Sequence, residues 1–174
     1  MTTLRPAHEA DVPQLVDLVQ AAYRGSGGWT TEEHLVAGTR TDAGELHAML
    51  ADPAVTLLVL EEDGALLGCC YTRRDGEDEA GRTRAELGLF AVHPSAQSRG
   101  LGARLLDAHA ELLRGEGIEV LMIQVLQARP ELHAWYERRG FVPTGRSVPF
   151  AGRIDDLRVD GLGMDIMELA LQSA

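Results

Sequence analysis

The stretch that most constrains the fold is Glu86 to Leu106, ELGLFAVHPSAQSRGLGARLL. An apolar, strand-forming run ends at Val92-His93-Pro94. A helical pattern opens at Gly100, with Leu101, Leu105 and Leu106 on its core side. The spacing Gln97-x-x-Gly100-x-Gly102 puts two residues without Cβ at the helix start. The first N–H groups of a helix have no intrahelical partner and point outward. The helix dipole adds partial positive charge there, and small residues let an anion approach the backbone. A phosphate or pyrophosphate site is one reading, and a tight turn into a helix is the other. Arg99 and Arg104 could add charge at the rim. The Lys-Ser/Thr that completes a nucleoside-triphosphate loop is missing. The pattern also falls short of G-x-G-x-x-G and follows the fourth strand-like run, which argues against a dinucleotide fold.

The rest of the chain supplies the frame for this loop. Thr2 to Pro6 reads as a strand. Asp11 is a helix N-cap, with Pro13 in the first turn and Leu15, Leu18, Val19 and Ala22 at helical spacing as far as Arg24. Gly25 to Gly28 stops it. Trp29 to Arg40 is open, although Thr30 or Thr31 could cap a short helix carrying Glu33, His34 and Leu35. A further helix spans Asp42 to Leu50. Val55 to Glu61 and Leu66 to Thr72 flank Asp63-Gly64, a strong hairpin signal. The charged run Arg73 to Arg84 reads as a loop and Ala85 to Val92 as a strand. After the helix Gly100 to Arg114, Val120 to Leu126 is a near-continuous apolar run typical of a central strand. Pro130 to Arg139 is a helix with Gly140 just past its end. Phe141 to Ser147 and Met164 to Leu171 are strands. The order predicts a single domain, residues 1–174, of α/β or α+β class with a mixed sheet.

Composition narrows the function. Basic residues number 16 against 27 acidic, a net charge of −11, which repels polyanions and makes a nucleic-acid partner unexpected. An acidic body suits a cationic acceptor, or supplies only solubility. Cys69 and Cys70 are adjacent in a strand and should face opposite sides, so neither a disulfide nor a metal site is expected. The N-terminus has no apolar segment of signal-peptide type, and no apolar run approaches the ~20 residues of a membrane span. A cytoplasmic location without a membrane partner is the expectation. Sheet edges would allow a homodimer, which nothing in the sequence fixes.

The motif residues resemble the GNAT superfamily of acyl-CoA-dependent N-acyltransferases. Its pyrophosphate signature, Gln/Arg-x-x-Gly-x-Gly/Ala after a Val-x-Pro-like strand end, is similar to Val92-His93-Pro94 followed by Gln97, Gly100 and Gly102. A second element, in which a helix ends in a Leu-Tyr-x-x-x-Gly-Phe pattern, is similar to Trp135-Tyr136-Glu137-Arg138-Arg139-Gly140-Phe141. The resemblance covers about Val55 to Phe141 well and the last ~30 residues loosely. It implies a mostly antiparallel mixed sheet of about six to seven strands with helices on both faces. It implies acetyl-CoA as co-substrate, no metal, and transfer of an acetyl group to an amine of a small molecule or peptide by direct attack in a ternary complex.

The resemblance also assigns roles. Phe90, Ala91 and Val92 would offer free backbone groups to the pantetheine arm. The loop of Gln97, Ser98, Arg99, Gly100, Leu101, Gly102 and Ala103 would hold the pyrophosphate. Glu86 would act as base, directly or through water, or be a surface carboxylate. Tyr136 would protonate the departing thiolate, or be a packed aromatic. Many members have an Asn seven residues before the Tyr, where this chain has Arg129. That arginine could instead reach a phosphate, or the contact is lost. The acceptor side would draw on Trp29, Glu32, Glu33 and His34, with Asp155, Asp156, Asp160 and Asp165 as an acidic fringe. His93 should sit near the coenzyme without a required role. A non-catalytic acyl-CoA sensor and a protein N-terminal or lysine acetyltransferase are the rival readings.

Overall fold

The computed structural model describes residues 1–25, 34–150 and 156–171. Strand β1 (Thr3–Pro6) leads to helices α1 (Val12–Arg24) and α2 (Ala43–Ala51), then to β2 (Val55–Glu62), β3 (Ala65–Glu77) and β4 (Thr83–Val92). Helix α3 (Leu101–Gly115), β5 (Val120–Leu126), α4 (Pro130–Glu137), β6 (Val142–Pro149) and β7 (Gly163–Ala170) complete the chain. The strands form one seven-stranded sheet in the order β1-β2-β3-β4-β5-β7-β6. Its neighbours are antiparallel except for the parallel pair β4 and β5. This is the predicted mixed, mostly antiparallel sheet.

The helices pack on opposite faces because each strand alternates its side chains. On one face Leu15, Val19 and Ala22 of α1 and Leu46 of α2 meet Leu57, Val59 and Cys69. On the other, Leu101, Leu105 and Leu113 of α3 and Tyr136 of α4 meet Leu58, Leu60, Cys70 and Ile123. Each aliphatic side chain so buried contributes about 1.5–3 kcal/mol. Cys69 and Cys70 point to opposite faces, as their adjacency requires. Asp63 (φ 51°) and Gly64 (φ 80°) both adopt the left-handed conformation that a two-residue hairpin turn of this type needs.

Some local expectations give way to tertiary contacts. Arg73 to Arg84 is not a loop: β3 runs on to Glu77 and β4 starts at Thr83. Its charges are held by partners remote in sequence, Arg74 by Glu116 and Arg84 by Asp75, which local patterning does not register. The turn shrinks to Asp78–Arg82, closed by Asp78 Oδ1, which accepts from the backbone N–H groups of Ala80 and Arg82 at 2.9 Å. Asp11 stands before α1 but does not cap it with its side chain. Its carboxylate accepts from Arg5 at 2.7 and 2.9 Å and from the His8 N–H at 2.8 Å. On α3 the core side includes His109, fully buried beside Ala110, which apolar patterning does not register. The short helix proposed around Thr30 and Thr31 lies outside the described residues.

Candidate active site

Strands β4 and β5 pair only through Arg84–Val120, Ala85–Leu121 and Glu86–Met122. Beyond that point they separate, although β4 continues to Val92 and β5 to Leu126. A bulge lies in the separated part of β4: Cys69 faces Ala91 but Tyr71 faces Gly88, so β4 holds one residue more than β3. Leu89 absorbs it with a φ of 49°. The extra residue reverses which side chains face which helices. Ala85 and Leu87 join the α3/α4 core, whereas Leu89 and Ala91 join the α1/α2 core. Phe90 and Val92 therefore turn toward α3 and α4, and Glu86 and Gly88 toward α1 and α2.

The backbone on the open side of β4 is met by side chains, not by a strand. Tyr23 Oη donates to the Phe90 carbonyl at 2.8 Å, and Gln97 Nε2 donates to the Val92 carbonyl at 3.2 Å. A cleft of about 1120 Å³ opens here and runs from the loop before α3 to Phe150 and Met164. Ser98, Gly100, Leu101, Gly102 and Ala103 line its first end. Gly100 caps α3 at φ 74° and has open space where a Cβ would stand. A Cβ at Gly102 would meet Trp135 and Phe90 at 3.4 and 3.5 Å, ordinary contact, which leaves room for alanine.

The arginines predicted at this end are engaged elsewhere. Arg99 pairs with Glu62 at 2.8 Å, and Arg104 donates to the Thr2 carbonyl at 3.0 Å. Arg129 is 1% exposed and pairs with Glu131 in the first turn of α4. Its guanidinium is thus buried in the frame of α4, beside the carboxylate of the helix's first turn. The His93 ring accepts from the Ser95 N–H at 3.2 Å and closes the turn before the loop.

The two expected catalytic side chains both line the cleft. Tyr136 is 7% exposed and lies among Trp135, Phe141 and Phe90, with ring centroids 5.0, 5.3 and 6.3 Å away. Glu86 is half-buried and its carboxylate makes no hydrogen bond or ion pair among the described residues. Burial raises its pKa, with Asp75 acting in the same direction and Arg73 and Arg84 opposing. A carboxylate whose pKa is raised without an ion partner is suited to take up a proton.

The acceptor end differs from the expectation. Trp29, Glu32 and Glu33 lie outside the described residues. His34 is exposed and does not line the cleft. Tyr23, Arg40 and Tyr71 line the cleft with Glu86, and of the expected acidic fringe Asp156 lines it too, against Gly38. Tyr23, Arg40 and Tyr71 belong to no motif. Tyr71 reaches the site only because β3 pairs with β4 in this register, and Arg40 only because the segment before α2 bridges to residues after β6 through Val36 and Leu157.

The splayed parallel pair, the bulge and the glycine-capped helix start thus meet at one cleft. The chain belongs to the acetyltransferase (GNAT) family, whose model matches residues 13–141. It is 35% identical over 100 residues to a mycothiol acetyltransferase of Propionibacterium freudenreichii, covering 58% of this chain and 31% of that one. It is 26% identical over 165 residues to an amino-acid acetyltransferase of Neisseria meningitidis, covering 95% of this chain and 33% of that one. The chain thus spans about one third of the length of these curated relatives. Its fold is similar to that of the ribosomal-protein-S18-alanine N-acetyltransferase of Escherichia coli, with TM-score 0.75, 20% identity and coverage of 100% and 96%. It is also similar to yncA of Salmonella typhimurium, solved with its cofactor acetyl-CoA, with TM-score 0.70, 22% identity and the same coverage.

Proposed function

We propose that this protein transfers an acetyl group from acetyl-CoA to the amine of a small molecule or peptide. The observation that carries the reading is the open side of β4 beside the glycine-capped start of α3, in one cleft with Glu86 and Tyr136. The backbone of Phe90, Ala91 and Val92, on the side of β4 that β5 has left, would receive the pantetheine amides as a partner strand would. The N–H groups around Gly100 would receive the pyrophosphate. A backbone N–H of β4 would stabilise charge on the thioester oxygen.

Acetyl-CoA supplies the activated acyl carbon. The amine nitrogen attacks it, the C–N bond forms and the C–S bond breaks. Glu86, directly or through water, takes the proton lost by the amine. A free amine of lysine type has a pKa near ~10.4, so this help matters at neutral pH. Tyr136 gives its proton to the thiolate. A cytoplasmic setting accords with the chemistry, and among the described residues no helix is long and apolar enough to cross a membrane.

Calorimetric titration with acetyl-CoA, with dephospho-CoA and ATP as controls, tests the reading. Micromolar-range binding of acetyl-CoA that Gly100→Asp abolishes is the expected result. No binding of any acyl-CoA would overturn it. Binding without thiol release on any amine would favour the sensor reading.

A further inference from the structure

The cleft is of mixed sign at the end away from the glycine loop. Arg40 lines it, half-exposed, with its guanidinium carbon 5.2 Å from the centroid of the Tyr23 ring. It makes no ion pair or hydrogen bond with any described residue, in a chain with 27 acidic and only 16 basic side chains. Of the other arginines that line the cleft, Arg24 donates to the Tyr23 carbonyl at 3.5 Å and Arg139 to the Trp135 carbonyl at 3.0 Å, while Arg138 stands at the far end of α4. The acids of the same cleft divide likewise. Glu45 accepts from Thr41 Oγ1 at 2.6 Å, whereas the carboxylates of Glu86 and of Asp156, which lies against Gly38, make no hydrogen bond or ion pair among the described residues. Arg40 and Glu86, an unmatched cation and an unmatched carboxylate, thus share one cavity, with the Tyr71 hydroxyl within electrostatic reach of both.

The position of Arg40 relative to the chemistry is fixed by a single ring. Tyr23, under the guanidinium, donates its hydroxyl to the Phe90 carbonyl, on the strand where the thioester would lie. We propose that the acceptor carries a carboxylate as well as the amine that is acetylated, with Arg40 receiving the carboxylate and Glu86 facing the amine. The inference rests on the acetyltransferase reading and refines its substrate class. A dication would set like charge against Arg40. A plain monoamine would crowd a guanidinium without supplying its counter-charge. A zwitterionic acceptor matches both groups, and the planar fork of arginine favours a carboxylate in two-point contact.

Matched acceptor pairs test this: amino acids against their α-amides and against the corresponding decarboxylated amines, with acetyl-CoA and thiol release as the readout. Binding of each member to the CoA-loaded protein is followed by NMR. The acid members should exceed their amides in kcat/KM by about tenfold or more. Arg40→Gln should raise KM for the acids by a similar factor and erase the preference, and Arg40→Lys should restore part of it. Equal use of both members overturns the proposal, as does an equal loss on both in Arg40→Gln. A protein that binds acetyl-CoA but neither binds nor acetylates any acid member overturns it too, while leaving the coenzyme reading intact. Failure to bind acetyl-CoA at all overturns the enzyme reading and this proposal with it.

Discussion

Tyr71 occupies the space where a side chain at position 88 would have to stand: a Cβ on Gly88 would come within 2.4 Å of its Cζ and Oη. The two residues face each other across β3 and β4, one residue before the bulge at Leu89. Gly88→Ala must therefore displace a partly buried tyrosine from the wall of the cleft where the acceptor is proposed to bind. Overpacking of this kind costs about 1–3 kcal/mol. Chemical denaturation should show that loss. In the folded variant the acceptor KM should rise while acetyl-CoA affinity changes little. An unchanged acceptor KM would remove Tyr71 from the substrate wall.

Glu86→Gln separates the roles of that carboxylate. As a base it should account for roughly 10²–10⁴ in turnover, which the amide cannot supply. Stability moves the other way. The folded state raises the pKa of Glu86, so ionisation costs more there than in the unfolded chain. Its contribution is present below the unfolded pKa and is lost as pH rises through the folded one. At neutral pH the variant should melt at or above the wild-type temperature. A large loss of both turnover and stability would point to a structural role.

The legible parts of this molecule are those whose signals are local. The glycines at 100 and 102, the Asp63-Gly64 turn and the apolar run of β5 each specify their own backbone, and the element order follows from them. The charged arm of the β3–β4 hairpin was hidden because Arg74 and Arg84 find their partners through folding. Gln97, Ser98 and the residues from Gly100 to Ala103 line one cleft with Glu86 and Tyr136, while Arg99 turns to Glu62. The burial of Arg129 was hidden, since a residue type at a motif position does not reveal it. Tyr23 and Arg40 could not be found from spacing, because the first acts through a hydroxyl bond to a strand 67 residues away and the second through a segment docked on residues after β6, where Val36 bridges to Leu157.

The two glycines of the loop should respond differently to substitution. Gly100 sits at φ 74°, where any side chain is strained by about 1–2 kcal/mol, and Gly100→Asp adds charge at the expected phosphate position. Gly102 is helical, with neighbours at ordinary contact distance. Gly102→Ala should bind acetyl-CoA within a few-fold of wild type, while folded Gly100→Asp should lose most of its affinity. Calorimetry on both, with circular dichroism as the folding control, decides the assignment. Equal behaviour of the two variants would mean that the loop does not hold the pyrophosphate.

His109 should give the fold a pH dependence of its own. The ring is fully buried on α3 between Thr72 and Cys70. Nε2 lies 2.9 Å from the Cys70 carbonyl, so it carries the proton, and Nδ1 accepts from the Thr72 hydroxyl at 3.1 Å. Burial lowers the pKa to about 4, with the Cys70 carbonyl opposing and Arg74 adding to the shift. The unfolded chain takes up a proton on this ring near pH 6.5, and the folded protein only near 4. The stability held above pH 6.5 should thus drain away as pH falls toward 4, by roughly 3 kcal/mol at most. Glu86, with its pKa raised, has the opposite sign. Asp11, with its pKa lowered by Arg5, acts only below the usual carboxylate range, so the interval from 6.5 to 4 reports mainly on His109. Urea titrations across that interval should show the slope in wild type and its absence in His109→Leu. Thr72→Val should keep the slope while losing about 1–3 kcal/mol from the unsatisfied Nδ1. A slope that survives in His109→Leu would place the acid sensitivity elsewhere in the molecule.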